Sequence, residues 1–189
     1  RGATVLIRAL LENEEFKSEF IQRMAGLINT TFHPDRVSPM YDSLLGQLNK
    51  EIQRHMDRWG RPYAETFASH TQTKIPKFTR ERPDIVRTQY MDKFGISGMY
   101  SLSVRVSDPD HGFVTACEVR LPPDSTGLYF NHVPLRLEAI PRSGYAFSHW
   151  EGASASSSES ILLDLSSDAS IRAVFKKDSP ASHIYINEV

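Results

Sequence analysis

The spacing of apolar residues changes once along this chain, and that change restricts what it can fold into more than any single motif does. As far as Gly95 the apolar side chains recur at steps of three and four, the repeat of a helix; from Tyr100 onward they recur at steps of two, the repeat of a strand. The expected class is therefore α+β in two segregated parts, an N-terminal helical subdomain followed by a small antiparallel all-β domain. The expected division is residues 1–96 for the helical part, 97–178 for the β domain, and 179–189 for a linker and the first strand of a following domain.

Within the helical part, Asn13 is an N-cap, with Glu14 and Glu15 in the first turn where the helix dipole favours anions. Phe16, Phe20, Met24, Leu27 and Ile28 then form a stripe that ends near Thr31, before His33-Pro34. Ser38-Pro39 reads as the start of a second helix. Its stripe is Leu44, Leu45, Leu48, Ile52, His55, Met56 and Trp59, with Gly60 as terminator. Gly46 inside it costs about 1 kcal/mol relative to alanine. A less regular stretch supplies Tyr63, Phe67, Ile75 and Phe78 as core contacts, and Pro83 opens a last helix carrying Ile85, Val86, Tyr90 and Phe94 and ended by Gly95.

In the β part, Tyr100, Leu102, Val104 and Val106 alternate up to the turn at residues 108–112, and a second strand spans residues 113–121. Residues 133–152 read as an antiparallel hairpin: Leu135, Leu137 and Ala139 alternate, Pro141 and Gly144 make a turn, and Tyr145, Phe147 and Trp150 continue to Gly152. After a serine-rich loop, Ile161, Leu163 and Leu165 alternate, then Ile171, Ala173 and Phe175.

Charge and cysteine content narrow the function classes. Twenty-two Lys and Arg against 23 Asp and Glu leave a net charge of -1, so no global basic field draws nucleic acid. The single cysteine, Cys117, cannot form an intrachain disulfide and reads as a buried, inert thiol. No apolar run approaches the roughly 20 residues that span a bilayer. The chain begins at Arg1 and ends in an alternating segment (Ile184, Ile186, Val189), so both ends read as cuts through a longer polypeptide.

Candidate chemistry is sparse. His33-Pro34-Asp35 sits at a helix exit, where such residues satisfy free backbone groups; His55 and Asp57 are two apart on a helix and do not share a face. Asp108, Asp110 and His111 read as a turn cluster, able to hold calcium only weakly. Lys74, Lys77, Arg80, Arg82, Arg87 and Lys93 make a locally basic stretch, a solvated face or else a surface for phosphate or an acidic peptide. Tyr145, Phe147, His149 and Trp150 could stack on sugar rings, although Phe147 and Trp150 read as core. The candidate partner or ligand surface is Tyr145, His149, Arg82 and Arg87. No catalytic, metal-ligating or cofactor-binding set is legible, and no cofactor is expected in this segment.

Two resemblances refine this reading. Leu137, Ala139, Pro141, Gly144, Tyr145, Phe147, Trp150, Gly152, Ala173 and Phe175 fill the pattern L-x-A-x-P-x-x-G-Y-x-F-x-x-W-x-G with its closing A-x-F strand, which resembles the divergent internalin-B-repeat-like domain of bacterial surface proteins. That resemblance implies a secreted or cell-surface protein, either as a spacer or as an adhesion module that binds glycan or protein. Residues 4–96, through LLENEEFKSEFIQRMAGLINTTFHPDRV, the segment ending His55-Met56-Asp57-Arg58-Trp59, and the later Phe78, Arg82-Pro83, Val86-Arg87 and Phe94-Gly95, resemble the C-terminal helices of the CotH family. These spore-coat-H-like proteins are regarded as secreted atypical protein kinases. The resemblance implies that the nucleotide-binding lobe and the catalytic and metal-binding aspartates precede this segment, which itself shows no Gly-rich phosphate loop, no kinase-like strand lysine, and no Asp-x-Asp or Asp-Phe-Gly motif ahead of the helices. It implies as partners that upstream lobe and a β domain downstream, where residues 182–189 resemble the start of a lamin-tail-like domain. It also implies that Arg82 braces the helical lobe.

Overall fold

A computed structural model of the chain describes residues 3–59 and 62–178. Five helices come first: α1 (Ala3–Leu10), α2 (Glu14–Asn29), α3 (Pro34–Trp59), α4 (Pro62–Ser69) and α5 (Ile75–Phe94). Eight strands follow: β1 (Met99–Val106), β2 (Gly112–Ala116), β3 (Val119–Arg120), β4 (Ser125–Phe130), β5 (Leu135–Pro141), β6 (Tyr145–Gly152), β7 (Ser160–Leu163) and β8 (Ala169–Lys177). The switch from helix to strand falls between Phe94 and Met99, and the class is α+β with segregated parts. Gly60, the side chain of Tyr63 and residues 179–189, to which sequence assigned a terminator, a core contact and a linker with a strand, lie outside the described residues.

The compact units do not follow the change of secondary structure. One holds the chain up to Gly26 together with the β region from Met99; the other holds Leu27–Gly98. The reason lies on α2, whose Asn13 cap accepts a hydrogen bond from the Phe16 N–H at 2.9 Å, as its sequence requires. Its buried residues are Ile21, Gln22, Ala25, Gly26 and Ile28, while Phe16, Phe20 and Met24 are only half-buried. Gln22 is bonded to β4 and the following loop, so the first part of α2 belongs with the strands.

The eight strands form two four-stranded sheets, ordered β4-β1-β8-β6 and β3-β2-β5-β7. Leu102, Val104, Phe147, Trp150, Ile171, Ala173 and Phe175 from the first and Val114, Ala116, Leu135, Leu137, Ala139 and Leu163 from the second supply the buried core. Two expectations fail here. Residues 133–152 are not a hairpin: β5 and β6 lie in different sheets, β6 pairing with β8 and β5 with β2 and β7. The Pro141–Gly144 turn, with Gly144 at φ +83°, instead carries the chain across the sandwich, and the Arg142 N–H donates to His111 O at 2.9 Å to hold that corner. The sheets are antiparallel-rich, as expected, with one parallel pair, β1 with β8, in which Val104 faces Ile171. The single strand expected over residues 113–121 is a tight hairpin, β2 and β3, turning through Cys117 and Glu118, both at positive φ.

The helices of the second unit also depart from their sequence pattern. α3 begins at Pro34, so Pro39 lies inside it and Ser38-Pro39 is not a cap; proline at position 34 occupies the first turn, where its missing N–H has no bond to lose. None of the residues of α3 is buried. Leu44, Leu48 and Trp59 are 63%, 49% and 62% exposed and His55 is exposed, while Leu45, Ile52 and Met56 are half-buried, so the amphipathic stripe is present but only partly covered. The irregular stretch is helical throughout: α4 passes through a π-helical turn at His70–Lys74 into α5, and Pro83 sits buried within α5 rather than opening it. A π turn leaves backbone carbonyls short of their usual partners. Thr71 Oγ1 donates to Phe67 O at 2.8 Å, His70 Nδ1 lies 2.7 Å from Thr66 O, and the Tyr41 hydroxyl donates to Thr71 O at 2.8 Å. Phe78 and Ile75 are exposed, not core. Gly95 closes α5 in the left-handed conformation, φ +66°, its N–H donating to Met91 O.

Candidate functional site

Of the residues singled out from sequence, none joins another in a reaction centre. Tyr145 is half-buried, its ring stacked on His111 at 4.0 Å between centroids. His149, also on β6, has Nδ1 3.1 Å from Ser148 Oγ and Nε2 3.5 Å from Glu151. Strict alternation would set Phe147 and Trp150 on opposite faces. A bulge between Phe147 and His149 resets the register, so that Phe147 faces Phe175 and Trp150 faces Ala173 and both rings enter the core. Trp150 is 1% exposed and its indole N–H donates to Ser158 O at 2.9 Å, which withdraws it from any sugar platform.

Arg82 is exposed, its guanidinium 5.7 Å over the Phe78 ring. Arg87 is engaged internally, donating to Asp84 at 2.8 Å and to Asn29 at 3.0 Å, and its buried Nε finds no acceptor. Asp108, Asp110 and His111 behave as a turn: the Asp110 N–H donates to Asp108 Oδ1 at 2.8 Å and His111 Nε2 lies 3.4 Å from Asp108. His33 Nδ1 accepts from the Asp35 N–H at 3.3 Å, and Asp57 accepts from the Gln53 amide at 2.8 Å. Among the described residues no group of three or more His, Cys, Asp or Glu could hold a metal ion, and no helix is long and apolar enough to cross a membrane.

A concave feature with mixed chemistry lies within the first unit, between the first turns of α2 and the β5–β7 side of the second sheet. It is an open groove of about 650 Å³. Glu14, Glu15 and Glu19 line it from α2, Arg136 from β5, and Ile161 and Leu162 from β7. Arg136 is bonded to Glu19 at 3.0 Å and to Glu15 at 3.4 Å; Lys17, which is outside the lining, holds Glu14 at 2.8 Å. Cys117 borders the groove but is buried, and burial pushes its thiol up to about 11, which removes it as a nucleophile near neutrality. Sequence reasoning missed this groove. Glu14 and Glu15 carried a sufficient local meaning as first-turn acids, and nothing in the spacing shows that a strand more than a hundred residues later lies alongside them.

Residues 1–86 match the family described as CotH kinase protein. No curated protein and no solved structure matches the chain.

Proposed function

We propose that the chain is a non-catalytic segment of a CotH-like protein, in which α3, α4 and α5 complete a kinase-like fold and the β sandwich serves outside the cell as a spacer and interaction module. The observation that carries this reading is the exposed part of the α3 stripe. A 26-residue helix with Met40, Leu44, Leu48 and Trp59 exposed presents apolar surface that water disfavours and a neighbouring lobe would cover. The family match over residues 1–86 supports the identity of that neighbour as the rest of a CotH-type domain. The sandwich supports the second half of the reading through a core that encloses its own aromatics, Phe147, Trp150 and Phe175.

The stripe supplies the test. Leu44→Ser with Leu48→Ser leaves the thermal midpoint of this chain nearly unchanged, because exposed substitutions cost within about 0.5 kcal/mol. In a polypeptide that also carries the kinase-like lobe, the same pair lowers the midpoint and the yield of soluble protein. Equal midpoints in both contexts would refute the lobe-completing role. Incubation of this chain with Mg²⁺ and ATP yields neither hydrolysis nor phosphate transfer, since positioning of phosphates and metal supplies nearly all of that catalysis. Nucleotide binding by calorimetry that one substitution within the chain abolishes would overturn the non-catalytic assignment.

A further inference from the structure

β7 is the outermost strand of its sheet, and its backbone shows what its free side can accept. The Cys117 N–H donates to Arg136 O, and the Ala139 N–H donates to Glu159 O. Along β5, then, Arg136 turns its backbone groups toward β2, and Leu135, Leu137 and Ala139 turn theirs toward β7. Their partners Leu163 and Ile161 face back into the sheet, which leaves the N–H and C=O of Leu162 pointing off the edge. Ser160 points the same way, its C=O already accepting from Ser158 Oγ at 2.8 Å. The Leu162 side chain is 70% exposed and stands beside the acidic wall of α2.

We propose that this groove binds an extended peptide segment in which cationic and aliphatic residues alternate, added as a fifth strand along β7. Backbone pairing to Leu162 supplies the strand register, and alternate side chains then fall on one face. On the groove face, cationic side chains meet Glu14, Glu15 and Glu19, three carboxylates that Arg136 in the lining and Lys17 beside it only partly offset. Aliphatic side chains fall on the opposite face of the added strand, the face shared by Ile161 and Leu163. Charge also selects against the other obvious occupant, a second copy pairing β7 with β7, because that would bring two acidic α2 walls toward each other. An acidic peptide is disfavoured for the same reason. Every residue of the groove lies in the unit that carries the sheets, its α2 wall falling within the family-matched residues 1–86 and its strand side outside them.

The experiment uses the whole chain and a fluorescein-labelled octapeptide of alternating Lys and Val. Anisotropy should rise saturably at one peptide per chain and weaken with salt, and the Leu162 amide should gain protection from hydrogen exchange. An octapeptide of Glu and Val should not bind. Glu14→Gln with Glu15→Gln, two exposed positions, should weaken the Lys-Val peptide by about tenfold. Leu162→Pro removes the edge donor while leaving the pairing of Ile161 and Leu163 to β5, and should abolish binding with the fold retained by circular dichroism. N-methylating alternate peptide nitrogens gives the same loss without touching the protein. The proposal fails if the N-methylated peptide binds equally well, which would make the contact electrostatic alone. It fails equally if the glutamine variants bind as tightly as the parent, if no peptide binds, or if the chain instead forms dimers that Leu162→Pro dissociates.

Discussion

Gln22 and Phe130, 108 residues apart, are joined by two hydrogen bonds: the Gln22 amide donates to Phe130 O at 2.8 Å, and its Oε1 accepts from the Phe130 N–H at 3.1 Å. The same amide donates to Val133 O at 2.7 Å. Gln22 is fully buried, so one side chain satisfies three backbone groups at the end of β4 that have no access to water through that side. Gln22→Ala should cost about 2–5 kcal/mol, the sum of stranded buried groups and a small cavity. Gln22→Glu should be worse, since a carboxylate cannot donate to two carbonyls. Urea denaturation of the parent and the two variants orders them; equal stability of the parent and Gln22→Ala would show that α2 is not fastened to the sheets.

Trp150→Ala should destabilise the chain by about 3–5 kcal/mol, through lost burial and the cavity left against Phe147 at 5.3 Å. Trp150→Phe isolates the smaller contribution of the bond to Ser158. A Trp150→Ala protein that melts like the parent but loses signal on a glycan array would instead make Trp150 a ligand platform.

Three glycines should respond oppositely to alanine. At Gly152, φ +95°, a methyl group would land on the Ser170 carbonyl oxygen, and at Gly112 it would press into the Phe175 ring and lie 2.8 Å from Ile140 O. Each substitution should cost more than about 2 kcal/mol. Gly46 in α3 faces open space, so Gly46→Ala should stabilise by about 0.5–1 kcal/mol. Thermal melts of the three variants check both signs.

Cys117 predicts an alkaline limit. Burial raises its thiol from 9.0 to about 11, so between those values the unfolded chain ionises while the folded one stays neutral. The unfolded state then binds fewer protons, and this group's contribution, fully present below pH 9, is lost as pH rises toward 11. Cys117→Ala should flatten that part of the stability profile. In the parent, thiol modification at about pH 8 should proceed only as fast as the protein opens.

What sequence makes legible depends on how local the cause is. The Asn13 cap, the Gly95 terminator and the change of period between Phe94 and Met99 are settled within a few residues, and the structure has each of them. Strand identity was legible for the same reason at β1, β2, β5, β6 and β8 but not at β4, whose residues carry no clear alternation; strand partnership was not legible. Alternation at Leu135, Leu137 and Ala139 specifies a buried face without saying whether the chain after Gly144 turns back into the same sheet or crosses to the other. Apolar spacing on α3 shows an amphipathic helix, yet the coverage of that stripe is a tertiary fact. The groove required knowing that α2 lies against Arg136, which no local pattern carries.

The parallel pairing of β1 with β8 has a consequence for how the chain is made. β1 is flanked by β4 on one side and β8 on the other, so a nascent chain emerging from the ribosome presents its first strand with one side open until residues beyond Ala169 have been synthesised. Successive strands mostly cross from one sheet to the other, leaving little that can close early as a local hairpin apart from β2 and β3. Such a topology folds late and slowly, because loop closure must precede the contacts that reward it. A stalled or clipped chain ending before β8 would therefore expose an apolar edge and the underside of Phe147 and Trp150, the surfaces by which incomplete β proteins aggregate.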